Sequence, residues 1–152
     1  MAFKIDIHYR TSLPSKKDAD RTISYLKNYG DSIPLNFPGI ESFTETEPKT
    51  YQWKFEKLSH SGKELQIAFA TRFDETPDRI KCVPVKGSDQ ASLQAEWTVV
   101  PKGLGAEVKF EAKLGIEIPL PGLLRAMIAP MAEMELKKLF DEYAANLQKA
   151  LE

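Results

Sequence analysis

The chain has 152 residues, 42% of them hydrophobic and 28% charged, and 21 basic against 22 acidic side chains leave a net charge of −1. This is the composition of one globular domain, 1–152, with enough chain to bury a core. It excludes a disordered polymer, and the balanced charge gives no electrostatic reason to expect nucleic acid as a partner.

Residues 1–15 alternate polar and apolar instead of forming an apolar run, so no signal peptide is expected. Phe3, Ile5, Ile7 and Tyr9 fall on one face of a strand, with Lys4, Asp6, His8 and Arg10 on the other. In the following SLPSKKDADRTISYLKNYG, Ser15 and Asp18 have capping-box spacing. Ala19, Ile23 and Leu26 then recur at helical spacing, and Gly30 reads as the stop. The stretch DSIPLNFPGI is expected to be a second short helix or turn ending at Pro38-Gly39.

From residue 40 to 118 every segment reads as a strand: IESFTET, TYQWKFEKL, ELQIAFATRF, RIKCVPV, ASLQAEWTVV and AEVKFEAKLGIEI. Tyr51, Trp53 and Phe55 share a face, as do Leu65, Ile67, Phe69 and Phe73, then Ala95, Trp97 and Val99, then Val108, Phe110, Ala112 and Leu114. Opposite them lie Gln52, Lys54, Glu56, Glu107, Lys109, Glu111 and Lys113, which predicts an antiparallel sheet with one solvated face. The connections SHSG, DETPD, KGSD and PKGLG are too short for crossover helices.

The chain closes with a helical segment from Pro121 to about Leu151, with Pro119 and Pro121 at its start, where proline is tolerated. At 1.5 Å per residue it would run ~45 Å. A ten-residue strand spans ~33 Å. The helix can therefore cross the whole sheet. Its apolar residues fall into two groups: Leu120, Leu123, Leu124, Met127 and Met131, then Leu136, Leu139, Phe140, Tyr143 and Leu147 on a rotated face. Pro130 lies between them and removes a helical hydrogen bond, which predicts a kink or short break with the two halves packing differently. No stretch reaches the ~20 apolar residues that span a bilayer.

This order, one strand, two short helices, six strands and a long helix, predicts an α+β fold. Only one long helix is available to cover the apolar face of a seven-stranded antiparallel sheet, so the sheet is expected to curve around it. The order of elements resembles the helix-grip fold of the START-like superfamily (SRPBCC), which includes the birch-pollen-allergen proteins. Two segments carry the resemblance. NYGDSIPLNFPGIESF is similar to the family's second helix followed by Pro-Gly, here Pro38 and Gly39, with Ile40 opening the second strand. IPLPGLLRAMIAPMAEMELKKLFDEYAANLQKALE is similar to the ends of polyketide cyclase/dehydrase-like and coenzyme Q-binding members. The resemblance implies a lipid, quinone, polyketide or similar apolar molecule held between sheet and helix.

The ligand-binding candidates are Tyr51, Trp53, Phe55, Ile67, Phe69, Thr71, Trp97, Val99, Phe110, Leu124, Met127, Met131 and Tyr143. The large rings on successive strands point at one helix, and the methionines add adaptable side chains; the same residues also suit an ordinary core. Tyr9, Tyr25, Tyr51, Thr71 and Tyr143 bring hydroxyls to inward faces, while Arg125 either reaches solvent or pairs with an acidic ligand group.

No catalytic residue, cofactor or metal is indicated. His8 is placed on the wet face of the first strand and His60 in the SHSG turn, neither with a partner at ligand spacing, and GLG at 103–105 is a hairpin turn. The lone Cys82 excludes an internal disulfide, suits a reducing, cytoplasmic setting, and reads as a small buried residue. The leading expectation is a non-catalytic binding or transport module for a hydrophobic small molecule. The alternative is a cyclase or dehydratase acting through Tyr51, Thr71, Tyr143 and Arg125. A protein-interaction role, as in the heat-shock ATPase activators of the superfamily, comes last. Peripheral membrane contact through Leu123, Leu124, Met127 and Ile128 stays open, and the oligomeric state is not legible.

Overall fold

A computed structural model describes residues 3–60, 63–85, 91–118 and 120–152. The KGSD connection, Ser61 and Gly62 of the SHSG turn, and Pro119 lie outside the described residues.

The first strand, β1, runs over Phe3–Ser15 with strict in-out alternation as far as Arg10. Two helices follow, α1 (Ala19–Lys27) and α2 (Tyr29–Asn36). The next strands are β2 (Ile40–Glu47), β3 (Thr50–Phe55), β4 (Leu58–His60), β5 (Lys63–Leu65), β6 (Ala68–Thr76), β7 (Arg79–Pro84), β8 (Ala91–Lys102) and β9 (Gly105–Ile118). A 3-10 turn at Gly122–Leu124 leads into α3, Arg125–Ala150. Seven strands form one antiparallel sheet in the order β1-β9-β8-β7-β6-β3-β2, curved around α3, while β4 and β5 pair only with each other. The α1–α2 connection carries the chain from one edge of the sheet to the other, because β1 and β2 are the two edge strands.

The expected strands TYQWKFEKL and ELQIAFATRF are each divided. β3 leaves the sheet after Phe55, and the chain projects as the β4–β5 ribbon before rejoining at Ala68. Backbone bonds seal the division: Phe55 N–H donates to the Ile67 carbonyl at 2.9 Å, and Glu56 N–H donates to the Gly39 carbonyl at 2.7 Å. His60 is therefore the last residue of β4 and not part of a turn. The expected DETPD connection is shorter, since β6 continues to Thr76.

The helix starts also differ from expectation. Asp18 itself caps α1, its carboxylate accepting from Arg21 N–H at 2.8 Å. Ser15 ends β1, and its hydroxyl bonds the buried Thr22 hydroxyl at 2.8 Å instead. Gly30 does not stop α1: Asn28 is the C-cap, and Gly30 lies in the first turn of α2. Gly39 takes φ +75°, a left-handed conformation that glycine adopts without a Cβ penalty, and so turns the chain into β2.

α3 runs through Pro130 without the expected break. Pro130 stands in the second turn, on the exposed side, where one missing N–H bond interrupts little. The two halves nevertheless pack differently. Ala129 is the only buried residue before Leu136, whereas Leu136, Phe140, Tyr143, Ala144 and Leu147 are all buried. Leu123 and Met127 are 85% and 71% exposed.

Candidate functional site

Alternation puts Trp53 and Phe55 of β3, Phe69 of β6, Leu93 of β8 and Leu114 of β9 on the concave face. Ile67 joins them from the link before β6, and Phe37 from the end of α2. Leu136, Leu139 and Phe140, spaced three and one apart on α3, close the opposite wall. These ten side chains line an apolar cavity of about 20 Å³. That holds about one water-sized sphere, far below the ~300 Å³ at which small-molecule pockets begin.

In a second cluster, Leu26, Tyr29, Ser32, Ile33, Phe73, Ile80, Trp97 and Tyr143 meet with no room for a water between them. Aromatic contacts connect the two clusters. Phe37 stacks on Tyr143 with ring centroids 3.9 Å apart and meets Trp53 edge-on at 5.5 Å. Phe110 lies 5.2 Å from Tyr143 and 5.1 Å from Trp97.

The interior polar groups satisfy one another. Trp53 Nε1–H donates to Thr71 Oγ1 at 2.7 Å, and Trp97 Nε1–H donates to Tyr143 Oη at 2.8 Å. Among the described residues no buried side-chain nitrogen or oxygen lacks a partner. Burial pushes the Tyr143 phenol above its ordinary range, only partly offset by the Trp97 bond. Burial also pushes the Cys82 thiol up to about 12, with the Thr71 hydroxyl pulling the other way. At neutral pH both groups are therefore protonated. Among the described residues, no group of three or more His, Cys, Asp or Glu side chains could hold a metal ion.

The attachments of α3 are one-sided. Tyr9 Oη–H donates to Asp141 Oδ1 at 3.0 Å, Trp97 to Tyr143, and Asn146 Nδ2–H to the Asn36 carbonyl at 2.9 Å. Lys16 N–H donates to the Leu151 carbonyl at 2.8 Å. Among the described residues, no side-chain hydrogen bond or ion pair ties Arg125–Phe140 to the sheet. The cavity lies where the tethered half of the helix gives way to the untethered one.

Four of the sequence candidates, Trp53, Phe55, Ile67 and Phe69, meet at this cavity. Thr71 stands behind them, bonded to Trp53. Trp97 and Tyr143 belong to the second cluster; Val99 and Phe110 are buried core, and Tyr51 stacks on Phe43 with centroids 4.5 Å apart. Leu124 and Met131 are half-buried and Met127 is exposed; none of the three lines the cavity. Sequence reasoning did not assign Phe37, Leu93, Leu114, Leu136, Leu139 and Phe140 to the site. Leu136, Leu139 and Phe140 belong to the second apolar group of the helix, and that rotated stripe was the signal that could have identified them.

No protein-family model matches the sequence, and no curated protein matches it. Solved structures do match in shape. A START superfamily protein from Mycobacterium smegmatis has a TM-score of 0.61 at 15% identity, covering 96% of each chain. The Zhui aromatase/cyclase from Streptomyces sp. R1128 has a TM-score of 0.64 at 11% identity, over 96% of this chain and 93% of that one. A protein from Thermus thermophilus has a TM-score of 0.59 at 18% identity, over 97% and 99%. At such identities the likeness carries the fold: this chain has the START-like, helix-grip architecture.

Proposed function

We propose that the chain binds a hydrophobic small molecule between its sheet and α3. The supporting observation is the pairing of an apolar cavity with an unequally tethered helix. Leu136 and Leu139 form one wall of the cavity, on the stretch of α3 that, among the described residues, no side-chain hydrogen bond or ion pair ties to the sheet. In the closed form about 20 Å³ admits no such ligand, so uptake requires residues 125–140 to lift while Asp141, Tyr143 and Asn146 keep the rest of α3 in place. The occupied state would be a minor population made dominant by its ligand.

A binding role is favoured over a cyclase or dehydratase because the interior hydroxyls and indoles are spent on one another. Loading at a bilayer surface is a second reading, favoured by the exposure of Leu123 in the 3-10 turn and of Met127 on the untethered half of α3. Native mass spectrometry of gently purified protein, followed by solvent extraction, tests the main proposal. An adduct released into solvent is expected. Protein that stays at its bare mass across a panel of apolar molecules would contradict it.

A further inference from the structure

We infer that the ligand enters as a single hydrocarbon chain, acyl or prenyl, and not as an oxygenated ring system; this rests on the cavity reading above. Every group lining the cavity is hydrocarbon or the carbon edge of an indole: Phe37, Trp53, Phe55, Phe69, Leu93 and Leu114 on one side, with leucines and Phe140 of α3 on the other. The nearest interior donors and acceptors are already committed. Trp53 Nε1–H is given to Thr71, and Trp97 Nε1–H is given to Tyr143. A ligand carrying carbonyls or hydroxyls along its length would strip water from each of them and find no replacement. A methylene chain loses nothing polar and gains dispersion contacts with two rows of side chains.

The cavity is a seam between two rows, with side chains of the sheet and Phe37 on one side and Leu136, Leu139 and Phe140 of α3 on the other.

The two tryptophans allow a direct test. Trp53 lines the cavity and Trp97 does not. Trp97→Phe leaves Trp53 as the sole emitter, and Trp53→Phe leaves Trp97. Dibromostearic acid added to each variant is expected to quench Trp53 at least twofold more than Trp97. Excess stearic acid should relieve that quenching, and an equal concentration of a hydroxylated anthraquinone should not. The same bromines carried on phosphatidylcholine in vesicles separate a free chain from a bilayer lipid, and quenching by either supports the chain class. Relief by the anthraquinone at lower concentration than by stearate overturns the chain class and leaves the cavity reading standing. No quenching and no calorimetric binding of either probe overturns both. Should a variant not fold, calorimetry of the unaltered protein with stearic acid and the anthraquinone decides between the same outcomes.

Discussion

The indole N–H of Trp97 and the phenol oxygen of Tyr143 meet at 2.8 Å across the interface between β8 and α3, with both side chains almost wholly buried. This bond, with the Tyr9–Asp141 and Asn146–Asn36 bonds, fixes the second half of the helix against the sheet and α2. Among the described residues the first half has no counterpart. The helix-grip architecture therefore contains an anchor and an untethered arm within one continuous helix.

Tyr143→Phe leaves the Trp97 N–H buried without an acceptor, and the lost satisfaction costs about 1–3 kcal/mol. Urea unfolding is expected to move to a lower midpoint with an unchanged slope. An unchanged midpoint would show that the bond anchors nothing.

Stability should also fall in acid through Glu75. Burial alone would raise its carboxyl, but hydrogen bonds from Tyr29 and Lys49 outweigh that and hold it below the usual glutamate range. A carboxyl whose folded value is depressed stabilises the fold above its unfolded value, and that contribution disappears as pH drops through the folded one. Glu75→Gln should lower the urea midpoint at pH 7 and show a shallower decline toward pH 3 than the unaltered chain. Parallel curves would remove Glu75 from the acid response.

Cys82 is buried, and its thiol is held protonated well above neutrality. An aromatic disulfide reagent at pH 8 is expected to label it slowly in native buffer and within seconds in concentrated urea, since only the thiolate reacts and only opening exposes it. Labelling of native protein at the rate of a free thiol would mean that the strand β7 region opens readily.

The strand alternation made most of the architecture legible. Phe3–Arg10 and Ala106–Ile118 bury alternate residues as their polarity dictates, and the same pattern placed Trp53, Phe55 and Phe69 on the concave face. The β4–β5 ribbon was not legible, because Leu65 continues the apolar alternation of Ile67 and Phe69 while the backbone bonds at Phe55 and Glu56 end the sheet. Pro130 does not break the helix for a related reason: a proline removes one backbone donor, and an exposed second turn tolerates that. Cavity size lies beyond pattern reading altogether. Whether Leu136, Leu139 and Phe140 fill the groove or leave it open depends on rotamers and on the height of the helix, and only packed coordinates give the about 20 Å³ that remains.

The central claim is that this seam opens for a hydrocarbon chain, and methyl NMR examines it at the residues concerned. In protein labelled at isoleucine and leucine methyls and titrated with stearic acid, the methyls of Ile67, Leu93, Leu114, Leu136 and Leu139 should shift together and show cross-relaxation to chain methylenes. Perturbation confined to surface methyls such as those of Leu104 and Leu123, with the seam methyls unmoved at saturation, would contradict the account.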